Sequence, residues 1–328
     1  MCFRKSLIAL SAKRNTCDEI VATPQGERTK ESRIVVKLIY ADTSVWNCLH
    51  DQKVDPLELF SVLARRDVLL VLGFNVVYEF AKLFFPGYEL KVRRGRDLFE
   101  YLKLNLDLKI PVVKENVSLL KDEALDASGQ RSFDFCFANR SDCEALVREV
   151  NNLCEAHVSP GRDEFILKRK ALVESSRASA RNHFKNRPDV EERLAALDEA
   201  ELPEFLITEY ATRQGELIIL GHLVNIFSGS TPADLLRAAK DLSSSSKYRF
   251  ARALARGSLY LNWRCAKFGS IRDDLYDDMF HVVNAAYSDV FATTDTDQAN
   301  LARHAIEATQ VISCDGNKPI SDQLMSEL

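Results

Sequence analysis

Residues 34–44 read Ile34-Val35-Val36-Lys37-Leu38-Ile39-Tyr40-Ala41-Asp42-Thr43-Ser44, and this stretch decides the fold. Its first eight residues are mostly apolar or β-branched and show no regular alternation of polar and apolar side chains. Such a run is typical of a strand buried on both faces, as in a parallel sheet. The strand stops at Asp42, and Thr43 or Ser44 suits the start of a helix. We therefore expect an α/β fold with Asp42 at the carboxyl end of a buried strand.

Strands and helices alternate on both sides of a long central segment. Val68–Leu72 is a second buried strand, which Gly73 breaks, and Asp289–Thr293 and Thr309–Cys314 are strands near the C-terminus. The pattern also predicts helices over 44–50, 55–66, 75–85, 90–104, 277–287 and 297–308. This order predicts a three-layer α/β domain with a central parallel sheet.

The central segment has a different character. From residue 113 to residue 268 the periodicity is helical, with polar links and no convincing strand pair. We interpret it as an all-helical insertion that shapes substrate access or holds a protein partner. The two flanks, 33–112 and 269–328, then build one sheet between them. Residues 1–32 are interpreted as a polar, poorly ordered leader.

Charge and composition limit the partners. The 328 residues carry a formal net charge of −4, so nucleic acid would have to bind through local basic patches. Basic helix stretches can be solvated surfaces instead, with their aromatic residues buried. Three stretches are candidates, the last with aromatic residues that could stack on bases: Lys91–Arg96, Lys168–Arg193, and Lys247–Arg256 with Tyr248, Phe250, Tyr260, Trp263 and Arg264.

The cysteines and the hydropathy bear on the compartment. The eight cysteines are scattered and form no CxxC pair, so we expect reduced thiols in a cytoplasmic protein. No apolar run approaches the length of a membrane span, so we expect no membrane partner. The sequence does not indicate an oligomeric state.

Acidic residues cluster around the strand ends that should share one edge of the sheet. Ligands of open α/β sheets gather at this edge. Carboxylates that meet there without an adjoining Lys or Arg repel one another unless a cation joins them. Hard divalent ions prefer oxygen ligands, so the sequence predicts Mg²⁺ or Mn²⁺. The candidates are Asp42 after the first strand, Glu79 after the second, Asp277 or Asp278 before the next strand, and Asp295 or Asp297 after it.

Three blocks, Leu38–Ser44, Leu69–Glu79 and Asp278–Asp295, resemble the PIN-domain nucleases. In that family an apolar strand typically ends in Asp followed by Thr or Ser, and a Glu lies one helical stretch after the second strand. An Asp then opens a helix that leads into a strand and a Thr-x-Asp turn. The resemblance covers about residues 34–105 and 270–316. The family module is normally far shorter, and the central segment has no counterpart in it.

The resemblance implies a divalent-metal-dependent nuclease that acts on single-stranded or structured RNA more than on DNA. The ion, rather than a side chain, would generate the nucleophile. Asp278 has a better helical register than Asp277, and the Thr-x-Asp spacing favours Asp295 over Asp297, so both alternatives stay open. The implied metal ligands and catalytic residues are Asp42, Glu79, Asp278 and Asp295.

Hydroxyl and imidazole groups could support these acids. Thr43 or Ser44, and Thr293, would orient carboxylates or a metal-bound water, and His281 lies on the same helix face as Asp278. The structural alternatives are a helix-capping role for Asp42, an exposed position for Glu79 and a packed histidine at 281. A PIN-like module that binds RNA or protein without cutting is the alternative function.

Overall fold

The computed structural model describes part of the chain, and every structural statement below concerns that part. The predicted leader and most of the predicted insertion lie outside it, as do the basic stretch up to Arg187 and Tyr248. The described residues are 36–81, 83, 91–114, 118–119, 122–123, 136–139, 141–145, 148, 188–202, 204–205, 249–269 and 274–326.

A parallel sheet of five strands organises these residues, in the spatial order β3-β2-β1-β4-β5. Ile39 of β1 pairs with Leu70 on one side and with Val290 on the other. β1 is an inner strand of the sheet, and its run of apolar residues is almost completely buried, as the sequence predicts. The strands are β1 (Lys37–Ala41), β2 (Val68–Gly73), β3 (Val112–Val113), β4 (Val290–Thr293) and β5 (Gln310–Ser313).

Nine α-helices fall within the described residues, in two packed groups. One group, α1 to α4, follows β1 and β2, and the other, α5 to α8, packs around α6. None of the nine combines the length and the apolar character needed to cross a bilayer. They are α1 (Thr43–Asp51), α2 (Pro56–Ala64), α3 (Phe74–Ala81), α4 (Val92–Asp107), α5 (Pro188–Ala196), α6 (Arg249–Phe268), α7 (Leu275–Asn284), α8 (Thr296–Ala305) and α9 (Ile320–Ser326).

The strand order explains the two groups of helices. Connections between parallel strands are right-handed, so crossovers that move in opposite directions from β1 place their helices on opposite faces. The chain passes from β1 to β2 and β3 on one side, and from β4 to β5 on the other. The result is an α/β fold consistent with three layers, as the sequence predicts.

Two elements differ from the sequence-based expectation. Strand β3 crosses the predicted boundary between residues 112 and 113, and Val113 also forms an antiparallel bridge with Phe137. The expectation of no strand pairing from residue 113 onward was therefore wrong at its start. A two-residue strand is too short to show periodicity in the sequence. It pairs with the edge of β2 that β1 leaves open. Helix α9 was not predicted either.

Helix α6 corrects the prediction of a stacking surface. Phe250, Tyr260 and Trp263 are buried in the core shared with α7 and α8, so they cannot stack on bases. The positive charge of this helix is also partly neutralised, because Arg256 pairs with Glu307 at 2.7 Å. The alternative interpretation, a solvated face with buried aromatic residues, is confirmed for the described part of this stretch.

Glu123 contacts the start of α6, within the segment predicted as the insertion. Its two carboxylate oxygens accept the backbone N–H groups of Phe250 at 2.8 Å and Ala251 at 2.7 Å, and the Tyr287 hydroxyl donates to it. Burial raises the pKa of Glu123 to about 7, although these hydrogen bonds act in the opposite direction. The contact satisfies backbone donors that a helix leaves open in its first turn.

Candidate metal centre

The strand order changes direction at β1: β2 and β3 are added on one side of it, and β4 and β5 on the other. Such a switch point creates a crevice at the carboxyl ends of the strands. The carboxyl ends of β1 and β4 are neighbours, although about 250 residues separate them, and the Asp42 N–H donates to the Ala292 carbonyl at 3.1 Å. Ligands of open α/β sheets bind outside the carboxyl ends of the strands at such a switch point. The predicted acidic residues surround this position.

Asp42 occupies the end of β1 and is 3 % exposed. Its extended backbone caps α1, and Oδ1 accepts the Val45 N–H at 2.9 Å. Burial raises the pKa of Asp42, whereas interaction with His281 and the hydrogen bonds to the carboxylate offset part of that rise. The capping role that was the structural alternative is therefore present, and it coexists with a position at the centre of the acidic edge.

Two hydroxyl groups connect Asp42 to the turn after β4. The Ser44 hydroxyl lies 2.7 and 2.9 Å from the two carboxylate oxygens of Asp42, and its oxygen accepts the Thr294 N–H at 2.8 Å. The Thr293 hydroxyl lies 2.8 Å from Asp42 Oδ2 and accepts the Asp295 N–H at 2.9 Å. These contacts fix the orientation of one carboxylate relative to the next.

Gln298 links the turn after β4 to α7. Asp295 caps α8 by accepting the Gln298 N–H at 3.0 Å. The side-chain oxygen of Gln298 lies 2.6 Å from the Thr293 hydroxyl oxygen, and its amide nitrogen lies 3.4 Å from Asp278 Oδ1. One buried amide group therefore lies between two of the predicted metal ligands.

Two acids reach the edge from helices: Asp278 in the first turn of α7 and Glu79 near the end of α3. The pKa of Asp278 is raised to about 9, first by burial and then by the carboxylates of Glu79, Asp295, Asp274 and Asp42. Charges shift a pKa in this way only from a short range. Asp278 therefore lies within electrostatic range of the other three predicted acids, and also of Asp274, which the prediction did not include.

His281 lies beneath the acidic edge and is 1 % exposed. Its Nδ1 is 3.1 Å from the Tyr40 hydroxyl, and its Nε2 is 3.1 Å from the Thr43 hydroxyl and 3.4 Å from Glu79 Oε1. Both ring nitrogens thus meet polar groups of other elements. His281 is packed, as the structural alternative proposed, and it also contacts one predicted ligand.

The two alternative aspartates are placed differently. Asp297 accepts from Arg264 of α6 at 2.9 Å, so its carboxylate already has a cationic partner. Asp277 is half-buried beside Asp278, and consecutive helical residues project about 100° apart. Of each pair, therefore, Asp295 and Asp278 are the ones whose contacts join the acidic edge.

Sequence reasoning missed Gln298 and Tyr40 as members of the site. Gln298 lies three residues after a helix-capping aspartate, the position at which Glu or Gln forms a capping box. That spacing could have placed Gln298 at the start of α8, beside Asp295. No local signal could have placed Tyr40, since its partner His281 is 241 residues away.

The chemistry of this edge suits a hard divalent cation. Carboxylates lie near one another there, and the pKa of Asp278 is raised first by burial and then by repulsion from these carboxylates. Within the described part of the chain, no three His, Cys, Asp or Glu side chains are close enough, as they stand, to hold a metal ion directly. Mg²⁺ keeps several of its waters and takes few carboxylates directly, so the open acidic set fits this ion.

Comparison with known proteins finds no match to this chain among family models, curated proteins or solved structures. A functional assignment must therefore depend on the chemistry of the site itself. The class that the described residues define is an α/β fold with five parallel strands and an acidic cluster at its switch point.

Proposed function

We propose that this protein is a PIN-like, divalent-metal-dependent nuclease that hydrolyses phosphodiester bonds, with RNA preferred over DNA. The observation that supports it best is the network at the carboxyl ends of β1 and β4: the Thr293 hydroxyl contacts Asp42 and accepts the Asp295 N–H, and Gln298 reaches from this turn to Asp278. In the same place the pKa of Asp278 is raised to about 9, first by burial and then by four neighbouring carboxylates. Burying one acid beside several others opposes folding unless a cation neutralises them. Strongly perturbed groups of this kind are concentrated at functional sites.

The four acids come from four elements, so folding alone brings them together. A bound Mg²⁺ or Mn²⁺ would supply a water of lowered pKa and would neutralise charge on the scissile phosphate. Asp42, Glu79, Asp278 and Asp295 would hold the ion. Ser44 and Thr293 keep the Asp42 carboxylate in one orientation.

The first turn of α4 supports a polynucleotide as the substrate. Lys91–Arg96 carries four exposed cationic side chains. Arg94 contacts Asp51, the last residue of α1, at 2.8 Å, and the Tyr101 hydroxyl donates to the Val54 carbonyl at 3.0 Å, so α4 packs beside the C-terminal end of α1. Asp42 caps the opposite end of this nine-residue helix, so the basic turn lies one short helix away from the acidic cluster. Phosphates farther along the strand than those that flank the scissile bond would be attracted to this surface.

A comparison of Asp295→Asn with Asp297→Asn tests the proposal. Purified protein is incubated with end-labelled single-stranded RNA and Mn²⁺, with EDTA as the metal-free control. We expect Mn²⁺-dependent cleavage that Asp295→Asn reduces by about 100-fold, because several kcal/mol of charge stabilisation depend on the ligands. Asp297→Asn should cleave within about threefold of the wild type, since Arg264 already neutralises Asp297. Cleavage that persists in EDTA, or equal losses in both variants, would contradict the assignment.

A second candidate is a PIN-like module that binds RNA or protein without cutting it. The observation that favours it is the absence, within the described residues, of three side chains arranged to hold a metal directly. Titration with Mn²⁺ separates the two candidates, because a binding-only module should show no metal affinity that depends on Asp42. A protein partner on the helical insertion and a cytoplasmic location stay predictions.

A further inference from the structure

His281 makes more polar contacts than a packed histidine needs. A buried imidazole is satisfied when each nitrogen has one hydrogen-bond partner. The Nδ1 atom meets β1 through Tyr40, while Nε2 lies near both Thr43 of α1 and Glu79 of α3. Three elements that carry or adjoin predicted ligands therefore contact one ring, which is itself carried by the helix of Asp278.

Tyr40 cannot move easily, and this gives the ring a fixed reference. Tyr40 is completely buried, and its ring stacks on Phe291 of β4 with centroids 6.0 Å apart. Its hydroxyl lies above Gly73, where an added Cβ would stand 2.0 Å from the oxygen. Position 73 thus accommodates the hydroxyl only because glycine has no side chain. The Tyr40 hydroxyl, held in this space, fixes the position of His281 Nδ1.

Glu79 has the longest side chain of the four acids and therefore the most rotamers to choose from. Its side chain is 21 % exposed, and it extends from a helix that is only eight residues long. A glutamate has three rotatable side-chain bonds, and fixing them costs conformational entropy. A rigid imidazole 3.4 Å from Oε1 restricts the rotamers that this carboxylate can occupy.

We propose that His281, anchored by Tyr40, is a positioning residue that holds the Glu79 carboxylate in place for the metal ion. The Tyr40 hydroxyl donates to Nδ1, which places the ring hydrogen on Nε2, 3.1 Å from the Thr43 hydroxyl and 3.4 Å from Glu79 Oε1. This inference rests on the proposed nuclease function, and it adds a role for two residues outside the acidic set. Partners that orient metal ligands in this way typically contribute 10- to 100-fold to metal affinity or activity.

Two substitutions at position 281 separate the contacts of the two ring nitrogens. In His281→Asn the side-chain amide occupies the region of Nδ1 and keeps the contact with Tyr40, but it does not reach Glu79. In His281→Gln the longer amide reaches the region of Nε2 and keeps a donor near Glu79. His50→Asn is the matched control, because His50 lies at the end of α1 and pairs with Asp51 instead of a predicted ligand.

The first measurement is Mn²⁺ affinity by calorimetry on folded full-length protein, together with kcat and KM for RNA cleavage. We expect His281→Asn to weaken Mn²⁺ affinity by about 10- to 100-fold. His281→Gln keeps a donor near Glu79 but gives up the Tyr40 anchor, so we expect it to lose less Mn²⁺ affinity than His281→Asn. The control should stay within about threefold of the wild type, and KM for RNA should not change. Equal Mn²⁺ affinity in the Asn variant and the wild type, or an equal or larger loss in the Gln variant than in the Asn variant, would overturn the proposal.

A second measurement needs no metal and separates this proposal from the proposed function. A double-mutant cycle between His281→Asn and Glu79→Gln, read from urea unfolding in EDTA, reports their direct coupling. We expect a coupling of at least about fivefold in the unfolding equilibrium constant. If the two substitutions have additive effects on stability and the wild type cleaves RNA, the positioning role of His281 is wrong and the nuclease function stands. If the wild type neither binds Mn²⁺ nor cleaves RNA, the nuclease function is wrong. The double-mutant cycle would then still test the contact between His281 and Glu79.

Discussion

Replacing Asp42 by Asn is expected to reduce Mn²⁺-dependent RNA cleavage by at least about 100-fold while the fold is retained. The proposed role of Asp42 depends on its negative charge, and charge stabilisation by a bound metal is worth several kcal/mol. Asparagine has nearly the same shape and is as good a helix cap, so the contact with the Val45 N–H can persist. The Ser44 and Thr293 hydroxyls can rotate to suit the amide.

Asp55→Asn provides the matched control for this experiment. Asp55 caps α2 as Asp42 caps α1, with Oδ1 accepting the Glu58 N–H at 2.9 Å, and it lies on the surface. Cleavage rates and urea unfolding curves are measured for both variants. We expect full activity from Asp55→Asn and, because burial raises the pKa of Asp42, an unfolding midpoint for metal-free Asp42→Asn no lower than that of the wild type. Undiminished cleavage by folded Asp42→Asn would remove Asp42 from the mechanism.

Asp278→Asn is expected to stabilise the metal-free protein while it reduces cleavage by about 100-fold. With its pKa raised to about 9, Asp278 must take up a proton when the chain folds at pH 7. That uptake disfavours folding by roughly 2 to 4 kcal/mol relative to a neutral side chain of the same shape. A substitution that improves stability and removes activity is expected where charges are held together for function.

The pH dependence gives this prediction a definite sign. An acid whose folded-state pKa is raised stabilises the fold least at high pH: its contribution is full below about pH 4 and declines until about pH 9. In EDTA, the gain in unfolding free energy of Asp278→Asn over the wild type should therefore be absent near pH 4 and grow as the pH rises. Saturating Mn²⁺ should stabilise the wild type and not the variant. A variant less stable than the wild type at every pH would contradict this account.

The elements around the acidic edge could be predicted because they have strong local signals. The strands ending at Asp42 and at Thr293 are apolar runs that stop at polar residues. Continuous apolar runs of this length are typical of strands that are buried on both faces. Asp295 followed by the start of α8 carries a helix-capping signal. The parallel order of the strands then brings these ends together, so the acids could be found before their contacts were known.

The remaining features depend on tertiary contacts that no local pattern records. Strand β3 is recognised only by its pairing with β2. Asp297 was an alternative ligand, and only the structure shows that it pairs with Arg264. The aromatic residues of α6 follow the spacing of a buried face, but only packing shows that they are in the core. Tyr40 and His281 are 241 positions apart in the sequence. Their side chains meet only after the strands and helices between them have packed.

The most direct test of the central claim is a crystal structure with Mn²⁺, recorded at the manganese absorption edge. The claim is that four acids from four elements share one divalent cation. The account predicts an anomalous peak at the carboxyl ends of β1 and β4, with oxygens of Asp42, Glu79, Asp278 and Asp295 around it, directly or through water. No peak at saturating Mn²⁺, or a peak elsewhere with these four side chains unchanged, would contradict it.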